Sequence, residues 1–352
     1  MLKPRVFEIL DSLVVGGIAP GMRVLLKPNF LSPAKPEDAL LTHPLVIRAV
    51  TEYILKKGGR VKIGDSQAIG SFERILRENG VRKALAGVDA EITEFTKSRK
   101  VDIGEPFGKI DLAEDALDAD LVINLPKLKT HGMMMLTLGV KNLFGCVVGF
   151  RKPEWHMRAG VNHEMFARLL VQICRTVNPA VTLLDGILAM EGEGPGKSGK
   201  PRHLGVLVGS TDAVAVDRTV CTLVGMDPYA LPTNRAAREM GMAVGEIEID
   251  GMLPEVLHYR IPGMRSTGRL TSLLRSQLIR KPVADDEACK LCGECWKYCP
   301  AQALTEAGNR LRFDYGKCIR CFCCLEVCPH GALRIRETIP ARLMRKLIER
   351  KA

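Results

Sequence analysis

"RVLLKPNFLSPAKPEDALLTHPLVIRAVTEYILKKGGRVKIGDS", residues 23–66, reads as a strand, a helix and a second strand. "RVLLKPN" (23–29) is an apolar run short enough for a buried strand. "HPLVIRAVTEYILKKGG" (43–59) repeats its apolar residues at helical spacing, with Thr42 placed to cap it and glycine to close it. "RVKIGDS" (60–66) is again strand-like. Two strands joined through a helix suit a parallel pair, which needs such a crossover connection.

The alternation continues outward. "AEITEF" and "DLVINLP" read as strands, "HEMFARLLVQICRTV" as a helix, "VTLLDGI" and "LGVLVGS" as strands, and "DAVAVDRTVCTLVG" as a helix with Asp212 at its N-cap. The expected fold is therefore α/β, a mainly parallel sheet with helices on both faces. The chain of 352 residues, 46% hydrophobic and 26% charged, is long enough for a large core and more than one domain. Glu8 and Asp11 interrupt the apolar start, and no run is long enough to span a bilayer, so a cytoplasmic location is expected.

In open α/β sheets, ligands bind beyond the carboxyl ends of the strands. Polar residues cluster at those expected ends, in "KPNF" (27–30), "GDS" (64–66), "NLPKLKTH" (124–131), "GVKNLFG" (139–145) and "DGILAMEGEGPG" (185–196). Lys27, Lys127, Lys129, His131 and Lys141 are expected to converge there with Asn29, Asp65, Asn142, Asp185 and Glu191. Any one of these lysines alone reads as a solvated loop charge. As a set at strand ends they suit an anionic ligand carrying a carboxylate or phosphate, with His131 as the candidate acid or base.

Nine of the twelve cysteines lie between Cys289 and Cys328. "CKLCGECWKYCP" (289–300) spaces them C-x-x-C-x-x-C-x-x-x-C-P, and Cys318, Cys321, Cys324 and Cys328, followed by Pro329, repeat the pattern. A loop with a thiolate every third residue can wrap three corners of a cubane while the fourth cysteine points to a neighbour. Zinc sites more often use separated C-x-x-C pairs, and disulfides are unexpected in a reducing compartment. "ALTEAGNRLRFDYGKC", between the two motifs, fits a strand pair turned at Gly308-Asn309. The extra thiol, Cys323, reads as an apolar filler, with alternative ligand or redox-active cysteine as the sharper readings.

This segment, about residues 284–337, resembles a bacterial-type two-cluster ferredoxin, a small α+β domain. Carried onto this chain, the resemblance implies two 4Fe-4S clusters. Cys289, Cys292, Cys295 and Cys328 would hold one, and Cys318, Cys321, Cys324 and Cys299 the other.

The blocks "LLKPNF", "THP", "IGDS", "NLPKLKTH", "LTLGVKNLFG", "HEMFARLLVQI", "LLDGILAMEGEGP" and "STDAVAVDRTVCTLVGMDP" resemble successive blocks of the DUF362 family over roughly residues 20–250. The resemblance implies an iron–sulfur protein, often with a C-terminal ferredoxin-like module, and no assigned substrate. The crevice residues above are read from the sequence, not inherited from the family.

The expected organisation is an α/β domain (1–255), a basic connector with an amphipathic helix (256–283), the ferredoxin-like domain (284–337) and a basic amphipathic tail (338–352). "GEGPGKSGK" (192–200) imitates a phosphate-binding loop but runs into a strand, so it reads as a glycine-rich loop at the crevice mouth. "GMMMLTL" reads as packing, and Cys146, Cys174 and Cys221 as buried fillers.

The net charge of +11 suits steering of an acidic electron carrier such as a ferredoxin or flavodoxin. Nucleic acid ranks low for want of aromatics and a recognition motif, and contact with a membrane surface ranks below docking of the basic helices on the protein itself. Two functions compete. One is a ferredoxin-linked oxidoreductase acting on an anionic small molecule; the other is a non-catalytic electron-transfer or assembly component whose α/β domain docks a protein partner.

Overall fold

A computed structural model describes residues 2–14, 16–149, 151–160, 162–242, 245–252, 254, 258–261 and 280–336. The expected connector helix with Leu270, Leu273, Leu274 and Leu278, and the tail 338–352, lie outside the described residues.

The strands in chain order are β1 (Arg23–Pro28), β2 (Arg60–Asp65), β3 (Glu91–Glu94), β4 (Ser98–Asp102), β5 (Lys109–Ala113), β6 (Leu121–Leu125), β7 (Lys127–His131), β8 (Met135–Thr137), β9 (Val181–Gly192), β10 (Gly199–Ser210), β11 (Lys281–Ala284), β12 (Leu304–Glu306), β13 (Leu311–Phe313) and β14 (Leu333–Arg336). Eight of them form one sheet in the order β3-β2-β1-β6-β9-β7-β8, with β10 also paired to β9. All its pairings are parallel except β7–β8 and β9–β10. The fold is α/β, as the alternation of residues 23–66 predicts.

Burial explains the near-continuous apolar strands. Val24, Leu26, Ile123 and Leu125 pack on one face with Ile47, Val50 and Ile54 of the helix Pro44–Lys56 and with Val6 and Leu10 of the helix Leu2–Leu13. Leu25 and Val122 point to the other face, against Phe166, Leu169 and Ile173 of the helix His163–Val177. Each strand alternates its side chains across the sheet, so both faces need cover.

Two local expectations change. The helix beginning at Pro44 is capped by His43, whose side chain accepts a hydrogen bond from Leu45 N. Thr42 instead accepts from Asn29 N and donates to the Leu125 carbonyl, tying β1's end to β6's end. "KLKTH" is not a loop after a strand but strand β7, which continues β6 across Pro126.

β11 pairs antiparallel with β14, and β12 with β13 across a turn in which Gly308 (φ 60°) and Asn309 (φ 58°) both adopt the left-handed conformation. A two-residue turn of that hand suits these residue types. The pairing of β11 carries the C-terminal module back to Lys281, into the stretch expected to be connector. Phe322, Leu325, Val327 and Leu333 of this module join the same core as the helix His163–Val177. Gly132 leaves room for Phe322 and Ile335, and the Ser198 hydroxyl lies 3.1 and 2.9 Å from the carbonyls of Gly331 and Leu333. The module is thus packed onto the sheet's carboxyl edge.

Candidate functional site

A cleft with about 690 Å³ of empty space lies where β1 and β2 end and the C-terminal module closes over them. Strand order departs in opposite directions from β1 and β6, which makes this edge the switch point where α/β sheets bind ligands. The structure brings Lys27, Asn29, Asp65, Lys129, Lys141 and Asn142 together in its lining.

These groups hold one another. Lys27 Nζ pairs with Asp65 Oδ1 at 2.7 Å, both buried, and Asp65 also accepts from Phe30 N at 2.8 Å. Asn29 accepts from Lys129 Nζ at 2.7 Å and donates to Asn142 Oδ1 at 2.7 Å, while Asn142 donates to Asn124 Oδ1 at 2.8 Å. Burial, with Lys141 nearby, lowers the Lys129 ammonium to about 7. Burial likewise pulls Lys141 below its ordinary value.

Lys127 and Asp185 stay out of the lining. They form a buried pair at 2.7 Å in which Asp185 also accepts from His43 N at 2.9 Å. The cause is a slip in register. Lys127 aligns with Asp185 but Lys129 aligns with Met190, so an irregularity between them sends Lys129 towards Asn29 and holds Lys127 back. Glu191 also stands apart, paired with Arg202 at 2.9 Å and Arg260 at 2.7 Å.

His131 sits behind the cleft wall. Its Nδ1 accepts from Met133 N and Met134 N, and its Nε2 stands 2.7 Å from Glu326 Oε1, a close contact bent away from good hydrogen-bond alignment. Burial lowers the imidazole to about 4, and two amide donors on Nδ1 keep that nitrogen unprotonated. His131 therefore stands beside Glu326 as a prop. Burial alone would raise the Glu326 carboxyl, but His131 and Lys141 hold it at about 2.

Sequence reading quoted Ser66 within "GDS" without giving it a role and missed Thr137, Lys152, His156 and Glu326, all of which line the cleft. Lys152 donates to Ser66 O at 2.8 Å and Ser66 Oγ at 2.9 Å, and burial lowers it to about 8. The i, i+4 spacing of Lys152 and His156 in "RKPEWHMRA" was the available signal, since it places both on one face of the helix Arg151–Ala159. Glu326, between two cysteines, carried none.

The cysteines surround two cavities. Cys289, Cys292, Cys295 and Cys328 ring one, whose walls include Leu291, Trp296 and Leu333. Cys299, Cys318, Cys321 and Cys324 ring another, walled by Pro282, Ile319 and Phe322. Ala332 N lies 3.3 Å from Cys328 Sγ, and Ala303 N lies 3.3 Å from Cys299 Sγ, a repeated donor suited to a ligating thiolate. Among the described residues no group of His, Cys, Asp or Glu closes to hold a single metal ion. Four thiols round an apolar space fit an iron–sulfur cluster.

A family model described as a domain of unknown function (DUF362) matches residues 24–222. The chain belongs to this family. A model described as a 4Fe-4S dicluster domain matches residues 281–329, so the DUF362 chain carries an iron–sulfur domain at its C-terminal side.

The thylakoid-associated protein sll1697 of Synechocystis is 41% identical over 225 residues, 64% of this chain and 70% of that protein. Pyruvate synthase subunit PorD of Thermotoga maritima is 37% identical over 59 residues, 16% of this chain and 60% of that subunit. The lactate racemase apoprotein of Thermoanaerobacterium thermosaccharolyticum aligns with a TM-score of 0.41 at 14% identity, over 62% of this chain and 55% of that one. No helix among the described residues is long and apolar enough to cross a membrane.

Proposed function

We propose that this DUF362 protein is a ferredoxin-linked redox protein in which an anionic small molecule, bound in the lysine-lined cleft, exchanges electrons with two 4Fe-4S clusters. Cys289, Cys292, Cys295 and Cys328 would hold one cluster, and Cys299, Cys318, Cys321 and Cys324 the other. Clusters of this kind supply one-electron transfer.

One observation carries the reading. Cys323 lines both the cleft and the second cysteine-ringed cavity, so a molecule in the cleft is separated from that cavity by a single side chain. The rest of the lining fits an anion. Lys27, Lys129, Lys141 and Lys152 face only Asp65 and Glu326 as charged opposites. Tyr298, Glu326 and Val327 come from the iron–sulfur module, whose Tyr298 hydroxyl donates to the Ala68 carbonyl, and they form one wall of the cleft.

A second reading, a non-catalytic electron-transfer component, draws on the likeness to PorD, which is named as a subunit of a larger enzyme. On that reading the acidic partner expected from the +11 charge is the electron donor or acceptor, and the cleft is regulatory. The test is to purify the protein anaerobically, measure iron and sulfide, reduce the clusters and follow their visible band while carboxylates and phosphate esters are added. Catalytic reoxidation by one class of anion, slowed by Lys129→Met, supports the first reading. Reoxidation by protein carriers alone replaces it with the second.

A further inference from the structure

Within the cleft, two buried polar groups from different elements end without a hydrogen-bond partner. Thr137 Oγ1, at the end of β8, and His156 Nδ1, on the helix Arg151–Ala159, make no hydrogen bond, although the residues are only 3% and 5% exposed. Lys141, in the helix Gly139–Asn142, is half-buried in the same lining. Buried polar groups are almost always satisfied, so two orphans beside a half-buried ammonium in one cleft mark the place of a ligand. Glu326 lines the same cleft, and its Oε1, 2.7 Å from His131 Nε2, likewise lacks an aligned hydrogen-bond partner.

Building on the redox reading above, we infer that the cleft selects an organic acid with a hydroxyl near its anionic end, held by Lys141, Thr137, His156 and Glu326. Lys141 takes the anionic oxygens, and Thr137 and His156 complete their hydrogen bonds. The unpartnered Glu326 oxygen accepts the donor that the ligand's hydroxyl supplies. The apolar wall of Phe30, Leu31, Phe144, Pro153 and Val327 suits a carbon skeleton better than a bare inorganic ion. A site built to bond a hydroxyl discriminates sharply against the analogue without one, because its own acceptor is then left dry and unpaired. Glu326 lies in the helix Cys323–Val327, so this selectivity exists only when the iron–sulfur module is docked.

The test is calorimetric titration of the full chain, loaded with clusters and kept oxidised so that no electron transfer is needed. The probes are 2-hydroxybutyrate, 3-hydroxybutyrate, butyrate and inorganic phosphate. One hydroxybutyrate is expected to bind about tenfold or more tighter than butyrate and phosphate. Glu326→Gln should reduce that preference to within about threefold with the cluster spectrum unchanged, and Lys141→Met should weaken every acid about tenfold or more. Butyrate or phosphate binding as tightly as both hydroxy acids, no binding at millimolar concentration, or Lys141→Met without effect overturns the inference. Hydroxy-acid binding without any reoxidation of reduced clusters would leave this site standing and sink the redox reading instead.

Discussion

Lys127 and Lys129 stand two residues apart on one strand yet have different duties. Lys127 is locked to Asp185 with both groups buried, so Lys127→Met leaves a carboxylate unpaired in the core. Breaking such a pair should cost about 3–5 kcal/mol, read as a lower urea midpoint at unchanged slope. Lys129 has its ammonium lowered to about 7 and Lys152 to about 8, in both cases chiefly by burial. An anion favours the charged forms, so its affinity should rise as pH falls from about 9 to about 6, by up to about tenfold per unit for each lysine that must gain a proton. Lys152→Met should flatten the upper part of that profile and Lys129→Met the lower part. Fold stability should move the opposite way. The unfolded chain keeps these protons up to an ordinary value of 10.5, whereas the native protein releases them sooner, so stability rises with pH above about 7.

At the scale of elements, the short helix Gly139–Asn142 places Lys141 and Asn142, and its first amides are held from outside. Asp217, in the helix Ala213–Leu223, accepts from Gly139 N at 2.6 Å and Val140 N at 3.3 Å. Burial raises its carboxyl to about 8 despite those two donors. Asp217→Ala removes the acceptor and should destabilise the fold by about 1–3 kcal/mol, and hydrogen exchange at 139–142 should rise with it. The following turn is equally constrained. A Cβ on Gly145 would sit 2.2 Å from Asp65 Oδ1 and 2.5 Å from Lys27 Nζ. Gly145→Ala should therefore part the Lys27–Asp65 pair, and anion affinity should fall more than stability does.

The whole molecule is joined through its core and the cleft. The iron–sulfur module and the helix His163–Val177 share one apolar cluster, and a Cβ on Gly196 would come within 2.2 Å of the Leu325 carbonyl. Stripping clusters by anaerobic chelation should loosen more than the cysteine loops. Limited proteolysis should cut within 281–336 first, and anion binding in the cleft should fall with the cluster band, because Glu326 and Tyr298 leave with the module. Gly196→Val should reproduce the loss of binding while iron content stays normal. Unchanged anion affinity in both experiments would show that the α/β domain binds without its cover.

The sequence by itself determined what depends on local periodicity. Apolar runs alternating with amphipathic helices pointed to a mainly parallel sheet, and cysteines at every third residue to a loop that wraps a cluster. Neither needs knowledge of distant partners. Only the tertiary structure decided which charges meet. Lys129 reaches Asn29 across 100 residues of chain, Lys127 is withheld by a slip in strand register, and Glu326 enters the cleft because the C-terminal module folds back over the sheet edge. Such contacts are set by register and docking, which no spacing along the chain records.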